Sequence, residues 1–231
     1  MITLKRATPE AVRYACTHFH YAKRTPQTRW AYNVYQDGEW CGVVVFGDGA
    51  QHHIATTVGF SFGEACELER VALNGKQAYT SQVVSECLKQ LHKDAPFIKV
   101  VISYADANQK HVGTIYQATN WIYIGDTSQT AASKPDAYII HGKRIHPRSV
   151  GAMGLRQSIG WLRENVDPNT EEVWGLPKYK YIFVFDKKLR QELQKKALPY
   201  PKKLCGSSST TERPALLRED GGLTPTLTLQ P

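Results

Sequence analysis

Three side chains that can exchange protons lie in or beside predicted regular elements of this sequence. Tyr116 falls in the stretch 112–119, where apolar residues recur at helical spacing. The stretch follows an apolar run at 98–103 and should place Tyr116 near the mouth of a parallel strand pair, where α/β sheets commonly bind ligands. Glu67 and Glu69 are two residues apart and should share one side of a strand. Phenols and carboxylates can act as general acids and bases.

Each of these residues also has a purely structural interpretation. Tyr116 could be a core aromatic on an amphipathic helix, and one of the two glutamates could be an exposed acid or could pair with Arg70. Asp106, a further candidate for acid-base chemistry, follows the apolar run and could serve only as a helix cap. The sequence therefore nominates these groups without choosing between the two interpretations.

His18 and His20 lie at the end of a predicted helix and are the candidates for binding a metal ion. Two histidines at this spacing are a weak signal, because a metal site would need a third ligand from elsewhere in the chain. A surface loop with ordinary histidines is the alternative. The same segment continues with Tyr21, Lys23 and Arg24, which make it polar and cationic.

Strands and helices alternate along the part of the chain that must position these residues. Thr8-Pro9-Glu10 is typical of a helix start, and Asp37-Gly38 is typical of a hairpin turn. The run 66–73 departs from strict alternation, which suggests a bulge, and Thr80 or Ser81 can cap the next helix. The predicted strands cover 2–5, 30–35, 39–46, 66–73, 98–103, 121–125, 137–140 and 178–185, and the predicted helices cover 9–18, 81–93, 112–119, 155–164 and 187–196.

The composition limits the classes of protein to consider. The chain has 231 residues, 42% of them hydrophobic, which is enough for one well-buried domain plus additional segments. Its five cysteines show no paired motif, so we expect reduced thiols and a cytosolic protein. A formal net charge of +8 favours an anionic partner, with a merely basic protein as the alternative. No apolar run approaches the ~18 residues of a transmembrane helix, so we expect no membrane association.

The C-terminal segment differs in composition from the rest of the chain. Pro, Ser, Thr and Gly dominate from Pro199 onward, and the apolar periodicity is lost. Such segments bury too little apolar surface to fold. We therefore expect one domain over residues 1–198 and a disordered tail over 199–231.

The order of the elements and two motifs resemble the GNAT family of acyltransferases. L-E-R-V-A-L at 68–73 resembles the central strand of that family, and I-Y-Q-A-T-N-W at 115–121 resembles the end of its tyrosine-bearing helix. The resemblance implies a GNAT-like α/β (α+β) fold with a mixed, splayed β-sheet flanked by helices. To this fold we add a C-terminal basic insertion and the disordered tail expected from the composition. It also places Tyr116 where the family's tyrosine often protonates the departing thiolate of coenzyme A.

The same resemblance implies acetyl-CoA or a related acyl donor as cofactor. The helix after the central strand stands where the family cradles the cofactor pyrophosphate. The family's glycine-rich phosphate loop is replaced here by N-G-K-Q-A-Y-T-S at 74–81, so hydroxyls and backbone amides would have to substitute. The residues expected to bind the cofactor are Leu73, Tyr79, Thr80, Ser81 and Asn108.

A more specific resemblance covers most of the chain. The segments H-F-H-Y-A-K at 18–23, A-D-A-N-Q-K-H-V-G-T-I-Y-Q-A-T-N-W at 105–121 and L-P-Y-P-K at 198–202 resemble the Mom family of phage DNA-modification proteins. This resemblance implies an enzyme of the host cytoplasm that converts adenine in double-stranded DNA to N6-carbamoylmethyladenine. The modified base protects phage DNA from host restriction.

That reaction sets chemical requirements. The exocyclic amine of adenine is a poor nucleophile because its lone pair is delocalised into the ring, so a general base or electrophilic activation is needed. Glu67, Glu69 and Asp106 are the candidates for the base or for positioning water, and Tyr116 is the candidate acid. Acetyl transfer would give N–CO–CH3, whereas the modified base carries N–CH2–CO–NH2. The donor is therefore not plain acetyl-CoA, or a further step or a metal ion assists.

A duplex base must also be extruded into the site, while cations hold the phosphates. The basic turn 141–148 is the strongest candidate for DNA contact, with a merely solvated turn as the alternative. The residues expected to contact DNA are His20, Tyr21, Lys23, Arg24, Lys110, His111, Lys143, Arg144 and Arg148.

Two other functions stay open at this point. The chain could be a conventional acetyl-CoA-dependent N-acetyltransferase acting on a small amine or a protein lysine. It could also be a DNA-binding module with a degenerate transferase fold and no catalysis. The missing glycines of the phosphate loop favour the second alternative, and the tyrosine motif at 115–121 opposes it.

Overall fold

The computed structural model describes residues 1–49, 55–61, 63–127 and 135–202. The strands are β1 (Ile2–Arg6), β2 (Trp30–Gln36), β3 (Glu39–Gly47), β4 (Ala65–Leu73), β5 (Val100–Asp106), β6 (Ile122–Asp126), β7 (Ala137–Ile140), β8 (Lys143–Ile145), β9 (Glu171–Val173) and β10 (Lys178–Val184). The helices are α1 (Pro9–His18), α2 (Thr80–Asp94), α3 (Thr114–Ala118), α4 (Pro147–Ala152), α5 (Ile159–Asn165) and α6 (Lys187–Gln194).

The main sheet is mixed and opens in its middle. Seven strands run in the order β1-β2-β3-β4-β5-β10-β6. Strands β4 and β5 are parallel, and they pair only through Ala65–Glu67 and Val100–Ile102, whereas β5 continues beside β10 along its whole length. The two parallel strands therefore diverge after Glu67. This arrangement confirms the predicted mixed, splayed sheet flanked by helices.

The position of β10 corrects one expectation about Tyr116. The sequence predicts Tyr116 near the mouth of a parallel strand pair, and the strands that precede and follow its helix are β5 and β6. Strand β10 lies between them and pairs antiparallel with both. The parallel strand pair is therefore β4 and β5, which diverge after Glu67, and not β5 and β6.

The suspected bulge in β4 is present and changes which side chains share a face. Val45 pairs with Arg70, but Phe46 pairs with Leu68, so Glu69 is the additional residue. Leu68 before the bulge and Val71 after it pack into the same core cluster. In a regular strand these two residues would lie on opposite faces.

Two helices cover opposite faces of the sheet. Helix α1 begins at Thr8, whose hydroxyl accepts the N–H of Ala11 at 3.3 Å, as predicted, and it buries Ala15 and Cys16 beside the β3–β4 strands. Helix α2 packs into the larger cluster on the other face. Its cap residue is Tyr79, without a side-chain cap bond, so the predicted Thr80 or Ser81 cap is wrong.

A second sheet, in the order β8-β7-β9, is inserted between β6 and β10. It has its own apolar cluster, which contains Tyr138, Val150 and Leu162. The β7–β8 turn is formed by His141 and Gly142, both with positive φ, as a tight hairpin turn requires. The basic segment expected near the C-terminus therefore lies on an insertion before the last strand. Helix α4 was not predicted, and α5 begins four residues later than expected.

The last described residues, 198–202, pack against the main sheet. The Tyr200 hydroxyl donates to the carbonyl of Trp121 at 2.6 Å, and the N–H of Leu198 donates to the carbonyl of Tyr123 at 3.0 Å. Most of the segment predicted to be disordered, 203–231, lies outside the described residues. The four cysteines within them are buried and unpaired. None of the helices in these ranges is long and apolar enough to cross a membrane.

Candidate active site

Polar side chains from four segments converge beside the divergence of β4 and β5. We call His20, Tyr21, Arg70, Asp106 and His111 the polar cluster. The Tyr21 hydroxyl donates to Asp106 Oδ2 at 3.3 Å, and its ring centroid lies 4.3 Å from that of His20 and 5.9 Å from that of His111. The turn after α1, strand β4, the end of β5 and the loop before α3 supply these residues. Sequence distances of up to 91 residues separate groups that lie together here.

His20 is held as a neutral hydrogen-bond donor. The backbone N–H of Ala22 donates to His20 Nδ1 at 3.1 Å, so the proton of the neutral ring is assigned to Nε2. Burial, and then the charges of Arg70, His111 and Lys23, lower the pKa of His20 to about 4. A ring that stays neutral at physiological pH and carries Nε2–H can polarise a carbonyl or hold a base edge.

Tyr21 combines a fixed hydroxyl with an accessible ring. Burial of the hydroxyl and the neighbouring Asp106 raise the pKa of Tyr21 to about 12, so it remains protonated. The residue is nevertheless 48% exposed, which leaves an aromatic surface open to solvent. Asp106 also caps the short helical turn that follows β5, as the sequence suggested, because its Oδ1 accepts the N–H of Asn108 at 3.0 Å. One carboxylate therefore fixes both the turn and the tyrosine.

Arg70 is the residue that the sequence interpretation missed. Its Nη1 donates to the backbone carbonyl of Glu69 at 2.6 Å, and its buried Nε has no hydrogen-bond partner among the described residues. Its charge acts on His20, Tyr21 and Glu69. A buried guanidinium N–H without a partner is uncommon and suits an anionic or carbonyl oxygen of a ligand. The only signal in the sequence was the bulge, which turns Arg70 toward α1.

The two candidate glutamates have different surroundings. Burial raises the pKa of Glu69, against the opposing effects of Arg70, the N–H of Gly49 and Arg148. Glu67 lies close enough to Tyr116 and Tyr104 for its charge to raise their pKa values. Glu69 thus faces the cationic side of the site, and Glu67 faces the tyrosines.

Tyr116 lies in the core at the apex of the divergence. It is 7% exposed, and its ring packs on Trp121 and Tyr181 at centroid distances of 5.0 and 5.1 Å. Its hydroxyl oxygen is 2.8 Å from Ser103 Oγ, which is 2.9 Å from the carbonyl oxygen of Leu68. Ser103 has one hydroxyl hydrogen, so when Ser103 donates to Leu68, Tyr116 donates to Ser103. Burial raises the pKa of Tyr116 to about 12.

The residues expected to bind the cofactor fall into two places. Leu73, Tyr79, Thr80 and Ser81 lie at the end of β4 and the start of α2, where Tyr79 is 70% exposed. Asn108 lies elsewhere, and its Oδ1 accepts the N–H of Leu176 at 3.0 Å. The first turn of α2 has no side-chain cap, so its backbone N–H groups are available to an anion.

The two metal candidates do not point to a shared site. His18 stacks on Tyr14 with a centroid distance of 4.1 Å, and its Nδ1 lies 2.8 Å from the carbonyl oxygen of Tyr14. His20 belongs to the polar cluster. No group of three or more His, Cys, Asp or Glu side chains suited to a metal ion occurs in the described part of the chain.

Exposed cations lie beside the polar cluster and on the insertion. Arg148 lies near Glu69, and Arg24 lies near His146 on the insertion. Among the described residues, no carboxylate lies within 4.0 Å of the six predicted DNA-binding cations. These cations, which we call the cationic rim, are Lys23, Arg24, Lys110, Lys143, Arg144 and Arg148, and all are exposed.

Comparison with known proteins identifies the family of this chain. Residues 1–202 match the model of the Mom protein family. The chain belongs to the Mom protein family. Methylcarbamoylase mom from Escherichia phage Mu is 29% identical over 142 residues, which are 59% of this chain and 56% of that protein. The match to this Mom relative thus spans little more than half of the relative's length.

Solved structures of acetyltransferases also align with this Mom chain, at low similarity. IAA acetyltransferase from Bacillus cereus is 10% identical with a TM-score of 0.42, and the match covers 80% of this chain and 100% of that one. The ribosomal-protein-S18-alanine N-acetyltransferase from Escherichia coli is 8% identical with a TM-score of 0.42, covering 80% and 95%. The fold assignment for the Mom chain rests on its own strand order and divergence.

Proposed function

We propose that this Mom-family chain is a DNA-modification transferase that places a carbamoylmethyl group on the exocyclic amine of adenine in double-stranded DNA. The observation that carries the proposal is the polar cluster, with its half-exposed Tyr21 and an Arg70 Nε that has no hydrogen-bond partner among the described residues, together with the exposed cationic rim. Membership of the Mom family and the name of the phage Mu relative support the same activity. The reaction would take place in the host cytoplasm, where phage DNA is found.

The polar cluster supplies the groups that the adenine chemistry requires. The exposed ring of Tyr21 offers a stacking surface for an extruded purine. His20 Nε2–H can donate to the base or to a developing oxyanion, and the Arg70 guanidinium can stabilise negative charge on the transferred unit. Asp106, Glu67 and Glu69 are the groups proposed to accept the amine proton. The raised pKa of Glu69 brings it closer to that of an efficient base at neutral pH.

An acyl-CoA or a related acyl donor fits the residues at the divergence. The uncapped first turn of α2, with Tyr79, Thr80 and Ser81, would hold the donor's phosphates, and Leu73 would contact its apolar part. Attack of the adenine amine on a bound thioester carbonyl would form N–CO and release the thiol. A glycyl unit transferred in this way, N–CO–CH2–NH2, is an isomer of the proposed N–CH2–CO–NH2 and would have to rearrange to it. Tyr116 holds a proton at its hydroxyl beside Ser103, and burial raises the pKa of this tyrosine further, to about 12. The proposed product contains an amide nitrogen, so the donor differs from acetyl-CoA in carrying that atom.

The cationic rim is proposed to hold the DNA backbone. Each phosphate neutralised by a lysine or arginine adds about 0.9 to the slope of log affinity against log salt. The insertion contributes Lys143, Arg144 and Arg148, while the turn after α1 contributes Lys23 and Arg24. Phosphate contacts on two sides of the polar cluster would orient the duplex over Tyr21.

The experiment is nucleoside mass spectrometry of plasmid DNA from cells that express the chain. We expect deoxyadenosine to gain the mass of one carbamoylmethyl group. Arg70→Gln should reduce the modified fraction about 100-fold or more, and the matched control Lys89→Gln on the exposed side of α2 should not. Unmodified nucleosides in cells that contain soluble, folded protein would contradict the proposal, and thiol release from acetyl-CoA with a small amine would then favour a conventional acetyltransferase.

A further inference from the structure

Two large apolar side chains are exposed next to each other on the loop between β9 and β10. Trp174 is 41% exposed and Leu176 is 51% exposed, with only Gly175 between them. These two exposed side chains on one short loop form an apolar patch, which we call the apolar projection, and exposed apolar patches can mark binding sites. The polar cluster and the cationic rim do not include this projection.

The loop is held in place by its backbone. The N–H of Leu176 donates to Asn108 Oδ1 at 3.0 Å, and the N–H of Asp136 donates to the carbonyl of Val173 at 2.8 Å. A side chain at Gly175 would overlap the Asp136 carboxylate and would lie within 2.9 Å of Asn108 Nδ2. A side chain at position 175 would therefore require the Asp136 and Asn108 side chains to move. The two backbone hydrogen bonds hold the loop that carries Trp174 and Leu176.

A single helical turn after β5 connects this loop to the polar cluster. Asn108 lies in the turn Ala107–Gln109, which is capped by Asp106. Asp106 accepts from the Tyr21 hydroxyl at 3.3 Å, while Asn108 accepts from Leu176. Asp106 therefore holds Tyr21 of the proposed site, and Asn108 in the same turn holds the loop that carries the apolar projection.

Charge next to the projection indicates the kind of partner. Lys178 follows Leu176 by two residues, and Lys110 follows Asn108 by two residues. Both lysines are exposed, and neither lies within 4.0 Å of a carboxylate in the described ranges. The Asp136 carboxylate also lies against this loop, beside Gly175. An apolar projection flanked by two exposed lysines suits a duplex, whose base steps are apolar and whose backbone is anionic.

We propose that Trp174 and Leu176 form a wedge that enters duplex DNA beside the target base and occupies the space which that base leaves in the stack. The proposal rests on the proposed function, since it assigns the step that exposes the adenine to Tyr21. Apolar side chains inserted between base steps unstack and kink the duplex. Enzymes that modify a base within a duplex must extrude it, and a group that fills the vacated space favours the extruded state.

The test uses the full chain and duplexes in which 2-aminopurine replaces each adenine in turn. Its fluorescence rises when the base leaves the stack. We expect wild-type protein to give this rise at one or more positions and Trp174→Ala to abolish it, with about tenfold weaker binding. The slope of log affinity against log salt should not change, because no charge is removed. Trp174→Phe should retain the rise.

Met153→Ala is the matched control, because Met153 is 59% exposed on the same insertion and lies outside the loop. It should behave as wild type. An equal fluorescence rise in Trp174→Ala and wild type, or DNA binding by wild type without any rise, would overturn the wedge and leave the proposed function to the nucleoside experiment. Failure of wild-type protein to bind DNA would overturn both proposals.

Discussion

Replacing Tyr116 with Phe removes one hydroxyl from the apex of the β4–β5 divergence. The ring keeps its contacts with Trp121 and Tyr181, and Ser103 can still donate to the carbonyl of Leu68. The change therefore leaves neither a cavity nor a buried serine hydroxyl without a partner. The lost interaction joins two neutral hydroxyls, so the free energy of unfolding should fall by about 0.5–1.5 kcal/mol.

A loss of this size leaves the protein folded. Each kcal/mol lowers the Tm of a chain of this length by roughly 2–4 °C. If the hydroxyl is the proton donor that we propose, its removal should lower the rate of modification about 10²–10⁴-fold. Thermal denaturation measures the first effect, and the modified fraction of deoxyadenosine at fixed times after induction measures the second.

Tyr32→Phe provides the matched control for this prediction. Tyr32 is 2% exposed, and its hydroxyl donates to Asp94 Oδ2 at 2.9 Å, away from the polar cluster. A bond to a carboxylate contributes about 1.5–3 kcal/mol, so this variant should be at least as destabilised as Tyr116→Phe. We expect it to keep its activity. Full modification by a folded Tyr116→Phe variant would refute the assignment of Tyr116 as the acid and leave it as a core residue.

Two further predictions test the charges around the site. The double variant Lys143→Ala/Arg144→Ala should lower the slope of log affinity for duplex DNA against log salt by roughly 1.8 if both side chains neutralise a phosphate. The control Lys195→Ala/Lys196→Ala, beyond α6, should leave this slope unchanged. Equal slopes for wild type and the Lys143/Arg144 variant would show that the β7–β8 hairpin does not contact DNA. Folding lowers the pKa of His20 from its ordinary value to about 4. The unfolded chain therefore protonates His20 more readily than the folded protein does. The free energy of unfolding is highest above pH 6.5, where His20 is neutral in both states, and it falls as the pH falls toward 4. His20→Gln should reduce that loss in urea unfolding measured across this pH range, and an unaltered pH dependence would contradict the buried, neutral assignment.

The sequence by itself determined most of the local structure. Thr8 and Pro9 start α1 as predicted, because a hydroxyl cap and a proline at the first helical position act within one turn. Asp37 and Gly38 both adopt positive φ in the β2–β3 turn, as their types indicate. The resemblance to the Mom family could also be recognised from the sequence, because a family comparison needs only the residue identities along the chain.

Tertiary structure alone decided the composition of the candidate site. The bulge at Glu69 reverses the alternation of β4 and brings Arg70 to the face of α1, and strand pairing, not local propensity, sets such a register change. Strand β10, which is distant in sequence, lies between β5 and β6. Tyr116 is buried in the core at the point where β4 and β5 diverge. Tyr21 and Asp106 meet across 85 residues. Periodicity reports which side chains are buried, but it carries no information on which distant groups will share one site, because that depends on how the strands pair.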